Sequence, residues 1–107
     1  MELYGYWRST AAWRVRIALA LKGLTARHLP VHLVRHGGEQ HSPDYRTHNP
    51  LALVPTLVVD GRALTQSLAI VEWLDEQYPT PALLPGDPWA RAQAREIALL
   101  IACDIHP

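Results

Sequence analysis

The run Tyr6-Trp7-Arg8-Ser9-Thr10-Ala11-Ala12-Trp13-Arg14-Val15-Arg16-Ile17-Ala18-Leu19 constrains the fold more than any other stretch. It reads as the end of a strand, a hydroxyl pair and the opening of a helix. Ser9 and Thr10 stand where a helix N-cap belongs, ahead of residues with good helix propensity. A helix N-terminus offers unpaired N–H groups and about half a positive charge, so it favours an anion. Beside a Ser or Thr hydroxyl that anion can be a phosphate, a carboxylate or a thiolate. This run alone does not choose between them.

The remaining elements follow from periodicity and punctuation. Glu2 to Tyr6 alternates as a first strand. The helix spans Thr10 to Lys22, with Val15, Ala18 and Leu19 inward, Ile17 and Leu21 as further candidates, and Gly23 as C-cap. Arg27 to Val34 alternates as a second strand, which Pro30 assigns to an edge or a bulge. Residues 36–40 are loop. Ser42-Pro43-Asp44 opens a short helix that ends by His48 at Asn49-Pro50. Thr56 to Asp60 and Arg62 to Thr65 form a hairpin about Asp60-Gly61. Ser67 caps a helix running to Tyr78. A proline-rich connection over residues 79–88 precedes a helix from Pro88 to Ile105. The order β-α-β-α-β-β-α, then linker and helix, is a mixed sheet with helices on its faces.

At 107 residues and zero formal net charge, the chain suits one soluble α/β domain with no bulk attraction to nucleic acid or anionic membrane. The single cysteine, Cys103, excludes an internal disulfide and a Cys-x-x-Cys redox pair, and fits a reducing cytoplasm. Met1-Glu2-Leu3-Tyr4 leads straight into a strand, without a signal peptide. The last helix is rich in Ile97, Ala98, Leu99, Leu100 and Ile101 and needs a packing partner. The expectation is a piece of a larger protein whose second domain is not included.

The element order and motifs resemble the thioredoxin-like domain of glutathione transferases. The run Arg8-Ser9-Thr10-Ala11-Ala12-Trp13-Arg14-Val15-Arg16-Ile17-Ala18-Leu19 resembles the signature of the zeta class, which includes maleylacetoacetate and maleylpyruvate isomerases. Leu21-Lys22-Gly23, Gly37-Gly38-Glu39-Gln40, Asn49-Pro50, Val54-Pro55-Thr56-Leu57, Gln66-Ser67-Leu68-Ala69-Ile70 and Ala102-Cys103-Asp104-Ile105-His106-Pro107 extend the match. Val-Pro-Thr and Gln-Ser-x-Ala-Ile are general to the transferases. The hydroxyl-Trp-Arg-Val-Arg run and the Asp-Ile-His-Pro end are more specific to the isomerases. The resemblance implies a glutathione-binding domain over residues 1–80, a linker over 81–87, and over 88–107 the first helix of an all-α domain.

The resemblance also implies roles. Ser9 donates to the glutathione sulfur, favouring thiolate, although Ser9 is also a natural helix cap. Thr10 is the neighbouring hydroxyl, where the family commonly has Ser. Ala11 replaces a common family cysteine, so no redox role falls there. Val54-Pro55 resembles a conserved cis-proline turn that presents the Val54 backbone to the cysteinyl unit as an added strand would. Gln66 and Ser67 hold the γ-glutamyl end, and Gln40 contacts the glycyl end. His106 binds the glycyl end or assists proton transfer, with a surface or core histidine as the alternative. Arg8 offers charge to a dicarboxylate or is simply solvated. Arg14 and Arg16 are expected in structural ion pairs, the four tryptophans in packing, and Cys103 buried and inert. No metal-ligand spacing connects His28, His32, His36, His41 and His48.

The function implied is glutathione-dependent cis–trans isomerisation of maleylacetoacetate or maleylpyruvate, in aromatic catabolism, by a homodimer. The alternatives are a glutathione-conjugating transferase acting on electrophiles and a non-catalytic interaction module.

Overall fold

The computed structural model describes residues 1–105. Four strands form one mixed sheet in the order β2-β1-β3-β4. β1 (Glu2–Gly5) pairs parallel with β2 (Arg27–Pro30) and antiparallel with β3 (Thr56–Val59), and β3 pairs antiparallel with β4 (Arg62–Thr65). Helices α1 (Thr10–Leu21), α2 (Pro43–Arg46), α3 (Ser67–Gln77) and α4 (Pro88–Leu99) complete the predicted order. The turn between β3 and β4 carries positive φ at Asp60 and Gly61, as a two-residue hairpin of the primed type requires.

Pro30 sits on edge strand β2, opposite Gly5, where its missing N–H costs no ladder bond. The strand stops there, short of the predicted Val34. Val31 N–H still reaches Gly5 O at 2.8 Å. Then the His32 ring Nδ1 accepts the N–H groups of Val34 at 3.2 Å and Arg35 at 2.9 Å, which bends the chain into a turn.

α1 begins and ends as its sequence predicts. Ser9 Oγ accepts Ala12 N–H at 3.1 Å. At the other end Gly23 takes φ +66°, its N–H reaching Ala20 O and Leu24 N–H reaching Leu19 O. That double closure is the Schellman arrangement, which favours a residue without Cβ at this position. The inward face is Ala12, Val15, Ala18 and Leu19; Ile17 and Leu21 point outward. Leu3, Val15, Ala18, Leu19, Leu57, Ile70 and Leu74 form the core between sheet, α1 and α3.

Lys22 ties three segments together. Its buried ammonium donates to Asp75 Oδ1 at 2.8 Å, Tyr78 O at 2.5 Å and Pro81 O at 2.6 Å. All three of its protons are thereby used. Asp75 also accepts the N–H groups of Leu83 and Leu84. The C-terminal ends of α1 and α3 and the start of the linker thus share one polar knot.

Two expectations are corrected. Trp7, Trp13 and Trp89 do not pack inward; they are 65, 58 and 73% exposed, and only Trp73 packs against the core. The last helix is not uniform: α4 passes into a π-helical segment over Leu100–Ile105. α4 meets α3 through Arg95 and Glu72, at 2.7 Å. Ile97 and Leu99 of α4, and Leu100 and Ile101 of the π-helical segment, are exposed.

Burial works to raise the Asp75 pKa, but the bonds from Lys22, Leu83 and Leu84 outweigh it and hold the carboxyl below its ordinary 3.8. A lowered folded-state pKa gives stability that is present above the unfolded value and lost as pH falls through the folded one. Urea midpoints are therefore expected to hold above about pH 4 and to fall below it. Asp75→Ala, which leaves a buried ammonium without its counter-ion, is expected to cost about 3–5 kcal/mol in urea unfolding at neutral pH.

Candidate functional site

The largest cleft, about 610 Å³, opens where the N-termini of α1 and α3 meet. Arg8, Ser9, Thr10 and Ala11 line it from α1, Gln40 from the loop after β2, Val54 and Pro55 from the loop before β3, and Gln66 and Ser67 from the β4–α3 junction. Every described residue singled out from sequence as a ligand contact lies on this one cleft. His106 lies outside the described residues.

Ser9 is the N-cap of α1, with φ −78° and ψ 116°. The cap uses an oxygen lone pair, accepting from Ala12 N–H. A hydroxyl has two such pairs and one proton, so capping leaves the proton free to donate into the cleft. The capping and donor roles are therefore compatible. Thr10 is exposed in the first turn. The Arg8 guanidinium stacks over the Trp7 ring at 4.6 Å, which holds an exposed cation at the rim.

The Val54-Pro55 peptide bond is cis, matching the expected turn. A buried polar network braces the loop that carries it. Tyr45 Oη donates to Leu53 O and lies 2.8 Å from Thr56 Oγ1; Asn49 Nδ2 donates to the same Leu53 O at 2.9 Å. Asn49 Oδ1 in turn accepts Leu51 N–H at 3.0 Å. Burial raises the Tyr45 phenol pKa above 10.0, against the lowering effect of its bonds to Thr56 and Asn49, so it stays a neutral donor.

Gln40 Nε2 reaches Leu33 O at 3.4 Å, while its Oε1 is buried without a partner. Gly38 beside it has φ +101° and ψ 111°, a conformation that strains any residue with a Cβ.

Ser67 corrects the sequence reading. It does not cap α3: Gln66 occupies the N-cap position, with φ 72° and ψ 117° and no side-chain cap bond. Ser67 is the first helical residue, and its Oγ accepts from Arg14 Nη1 at 3.1 Å. The Gln66 backbone is a strained conformation for a residue with Cβ, of the kind that persists where the surroundings over-determine it.

Arg14 and Cys103 also reach the cleft, against expectation, while Arg16 does not. Arg14 makes no ion pair among the described residues and turns inward to Ser67. Arg16 likewise makes none, and donates to Trp7 O at 3.5 Å. Cys103, predicted buried, is exposed on the cleft wall with Leu99 and Ala102. The spacing that brings Arg14 in was legible, since it lies one helical turn beyond Thr10. Its target was not, because Ser67 is 53 positions away.

A second cavity, about 170 Å³ between α3 and α4, is lined mainly by Leu68, Val71, Leu83, Leu84, Ala98 and Leu99 and is almost wholly apolar. Its charged lining residues are already paired, Arg95 with Glu72 and Asp75 with Lys22, which leaves an apolar space.

A mixed four-stranded sheet with helices on it, and the N-termini of α1 and α3 meeting the loop before β3 at one cleft, define a thioredoxin-like domain. The family model for the glutathione S-transferase N-terminal domain matches residues 3–82, and the chain belongs to that family. It is 57% identical to the maleylacetoacetate isomerase of Pseudomonas aeruginosa, over 100% of this chain and 51% of that protein. The holo structure of a bacterial zeta-class maleylpyruvate isomerase superposes with TM-score 0.94 at 48% identity, covering 100% of this chain and 50% of the other. The maleylacetoacetate isomerase of Methylobacterium extorquens AM1, solved with bound malonate and GSH, superposes with TM-score 0.91 at 48% identity, covering 97% and 48%. The chain spans about half the length of the curated relatives it matches. Among the described residues no helix is long and apolar enough to cross a membrane.

Tyr45→Phe removes the hydroxyl shared by Leu53 O and Thr56. It is expected to cost about 1–3 kcal/mol, read as a lower urea midpoint at unchanged slope.

Proposed function

We propose that the cleft binds glutathione and that the protein is a glutathione-dependent cis–trans isomerase of maleylacetoacetate or maleylpyruvate. One observation carries this reading: the Ser9-capped start of α1 and the Gln66-Ser67 start of α3 open into the same cleft. Two helix N-termini side by side favour a ligand with more than one negative group. The protein groups also fit a tripeptide. Ser9 has an unused proton for a sulfur, Val54 lines the cleft, and Gln40 has a buried acceptor lacking a donor. The high identity to isomerases favours isomerisation over conjugation and over a non-catalytic module.

Each residue then has a task. The Ser9 hydroxyl, at the positive end of α1, holds the sulfur as thiolate by donating to it. The Val54 N–H and C=O pair with the cysteinyl backbone as an added strand would. Gln66 and Ser67 take the γ-glutamyl end, Gln40 takes the glycyl end, and Thr10 and Ala11 complete the wall beside the sulfur. Arg8 at the rim offers a fixed cation to a carboxylate of the substrate. Bound glutathione supplies a nucleophile that adds to the maleyl double bond, permits rotation about the resulting single bond, and leaves to give the fumaryl isomer.

In the same reading, residues 1–80 form the glutathione-binding domain, 81–87 the linker and 88–107 the start of an all-α domain. His106, outside the described residues, is in this reading the residue that binds the glycyl end or assists proton transfer. The protein works as a homodimer in the cytoplasm, where Cys103 remains a thiol.

Ser9→Ala is expected to lower isomerase turnover of the full-length protein roughly ten- to a thousandfold, the scale of losing one oriented donor. Undiminished turnover of both maleyl substrates by the folded variant removes Ser9 from the chemistry.

A further inference from the structure

The segment between β2 and α2 reaches the cleft without a strand or a long helix to hold it. His36, Gly37 and Gly38 follow one another with φ of 55°, 74° and 101°. Two glycines leave this stretch little conformational preference of its own, so bonds across the loop must fix it. Its base is closed twice: Glu39 N–H reaches His32 O at 2.7 Å, and His32 N–H reaches Glu39 Oε1 at 2.7 Å. Inside the loop, His32 Nδ1 accepts Val34 N–H at 3.2 Å and Arg35 N–H at 2.9 Å. Leu33 and Gln40 leave this base side by side, Gln40 Nε2 reaching Leu33 O, and both line the cleft. The imidazole of His32 therefore shapes the wall on which Gln40 stands.

Both ring bonds demand one protonation state. A neutral imidazole has a single acceptor nitrogen, and here Nδ1 carries two N–H groups. The protonated ring has no acceptor, because both nitrogens then donate. One proton thus removes both bonds and sets a third N–H against the two already there. No neighbouring charge offsets this. Among the described residues no carboxylate lies within ion-pair distance of the ring. The Glu39 carboxylate is engaged with the His32 backbone N–H. Tyr6, just past β1, meets the ring edge-on with centroids 4.9 Å apart and contributes an aromatic surface rather than a charge. Arg35 and His36, on the loop itself, can add only like charge.

We propose that His32 is a positioning residue and a proton-sensitive latch: its neutral ring holds the loop that sets Leu33 and Gln40 on the cleft wall, and a proton on the ring releases that loop. This rests on the glutathione reading above, in which Gln40 takes the glycyl end. The sign follows from the bonds. The ligand-ready loop is tied to the unprotonated ring, so acid favours the released form. Glutathione affinity therefore falls as pH drops through the range in which imidazoles charge, roughly 8 to 5.

The test is calorimetric titration of the full-length protein with S-methylglutathione at about pH 7.5 and about pH 5.5, on either side of imidazole charging. The methyl group removes the thiol, whose own ionisation would otherwise enter the comparison. Wild type is expected to bind roughly three- to tenfold more weakly at the lower pH, the scale of one or two modest hydrogen bonds. His32→Asn substitutes an amide oxygen that accepts N–H groups two residues on and does not titrate. It should match wild type at the higher pH and keep that affinity at the lower. His32→Ala has no acceptor and should bind weakly at both. In the free protein, the amide NMR signals of Val34 and Arg35 should move together with the His32 ring signal as it titrates. An Asn variant that loses affinity in acid as wild type does overturns the proposal. So does an Ala variant as tight as wild type at the higher pH, or amide signals that stay still while the ring titrates. Wild type whose affinity is the same at both pH values overturns the proposal and leaves the glutathione site standing. Wild type that binds no S-methylglutathione at either pH overturns the glutathione reading, and this proposal with it.

Discussion

The parallel packing of α1 against α3 is the constraint on which the rest of the molecule depends. Antiparallel neighbours would largely cancel their dipoles. Here both positive ends emerge at one place and both negative ends at the other. Val15, Ala18 and Leu19 of α1 and Ile70 and Leu74 of α3 seal the contact with apolar surface. At the carbonyl ends the protein supplies its own answer in the buried ammonium of Lys22. At the amide ends it supplies hydroxyls, from Ser9 and Ser67, and a cation behind one of them. A pocket built this way favours an anionic ligand.

The second fixed element is the loop that lines the cleft together with those two helix starts. This is the loop before β3, and its position follows from buried hydrogen bonds rather than from regular structure. Tyr45 and Asn49 both donate to Leu53 O, and Tyr45 also meets Thr56 on β3. The loop is thus fastened to α2 on one side and to the sheet on the other. Gln66 shows a related economy: its strained φ lets β4 turn directly into α3, bringing Ser67 to the cleft wall.

Local signals in the sequence proved reliable where the structure depends on local chemistry. The Ser9 cap, the Gly23 closure, the Asp60-Gly61 hairpin and the edge position of Pro30 follow from properties of single residues and their immediate neighbours. The cleft was legible for a different reason: motif resemblance carried Ser9, Gln40, Val54 and Ser67, which no periodicity could have joined. What escaped was set by distant partners. Arg14 was expected to pair with a carboxylate because surface arginines usually do, and its serine lies on another helix. β2 ends early because a histidine ring captures two N–H groups, which alternation does not report. Ser67 looked like a cap by residue type, yet the chain enters the helix one residue sooner, through Gln66. The tryptophans and Cys103 were assigned inward on hydrophobicity alone, and hydrophobicity does not say which face of a helix the sheet covers.

The central claim is electrostatic: this cleft stabilises a negatively charged sulfur against the start of α1. Ultraviolet titration of thiolate absorbance in glutathione bound to the full-length protein tests it most directly. The account predicts that the bound thiol ionises at least about one unit below the ordinary thiol value of about 8.5. A bound thiol that ionises at the same pH as free glutathione would contradict it.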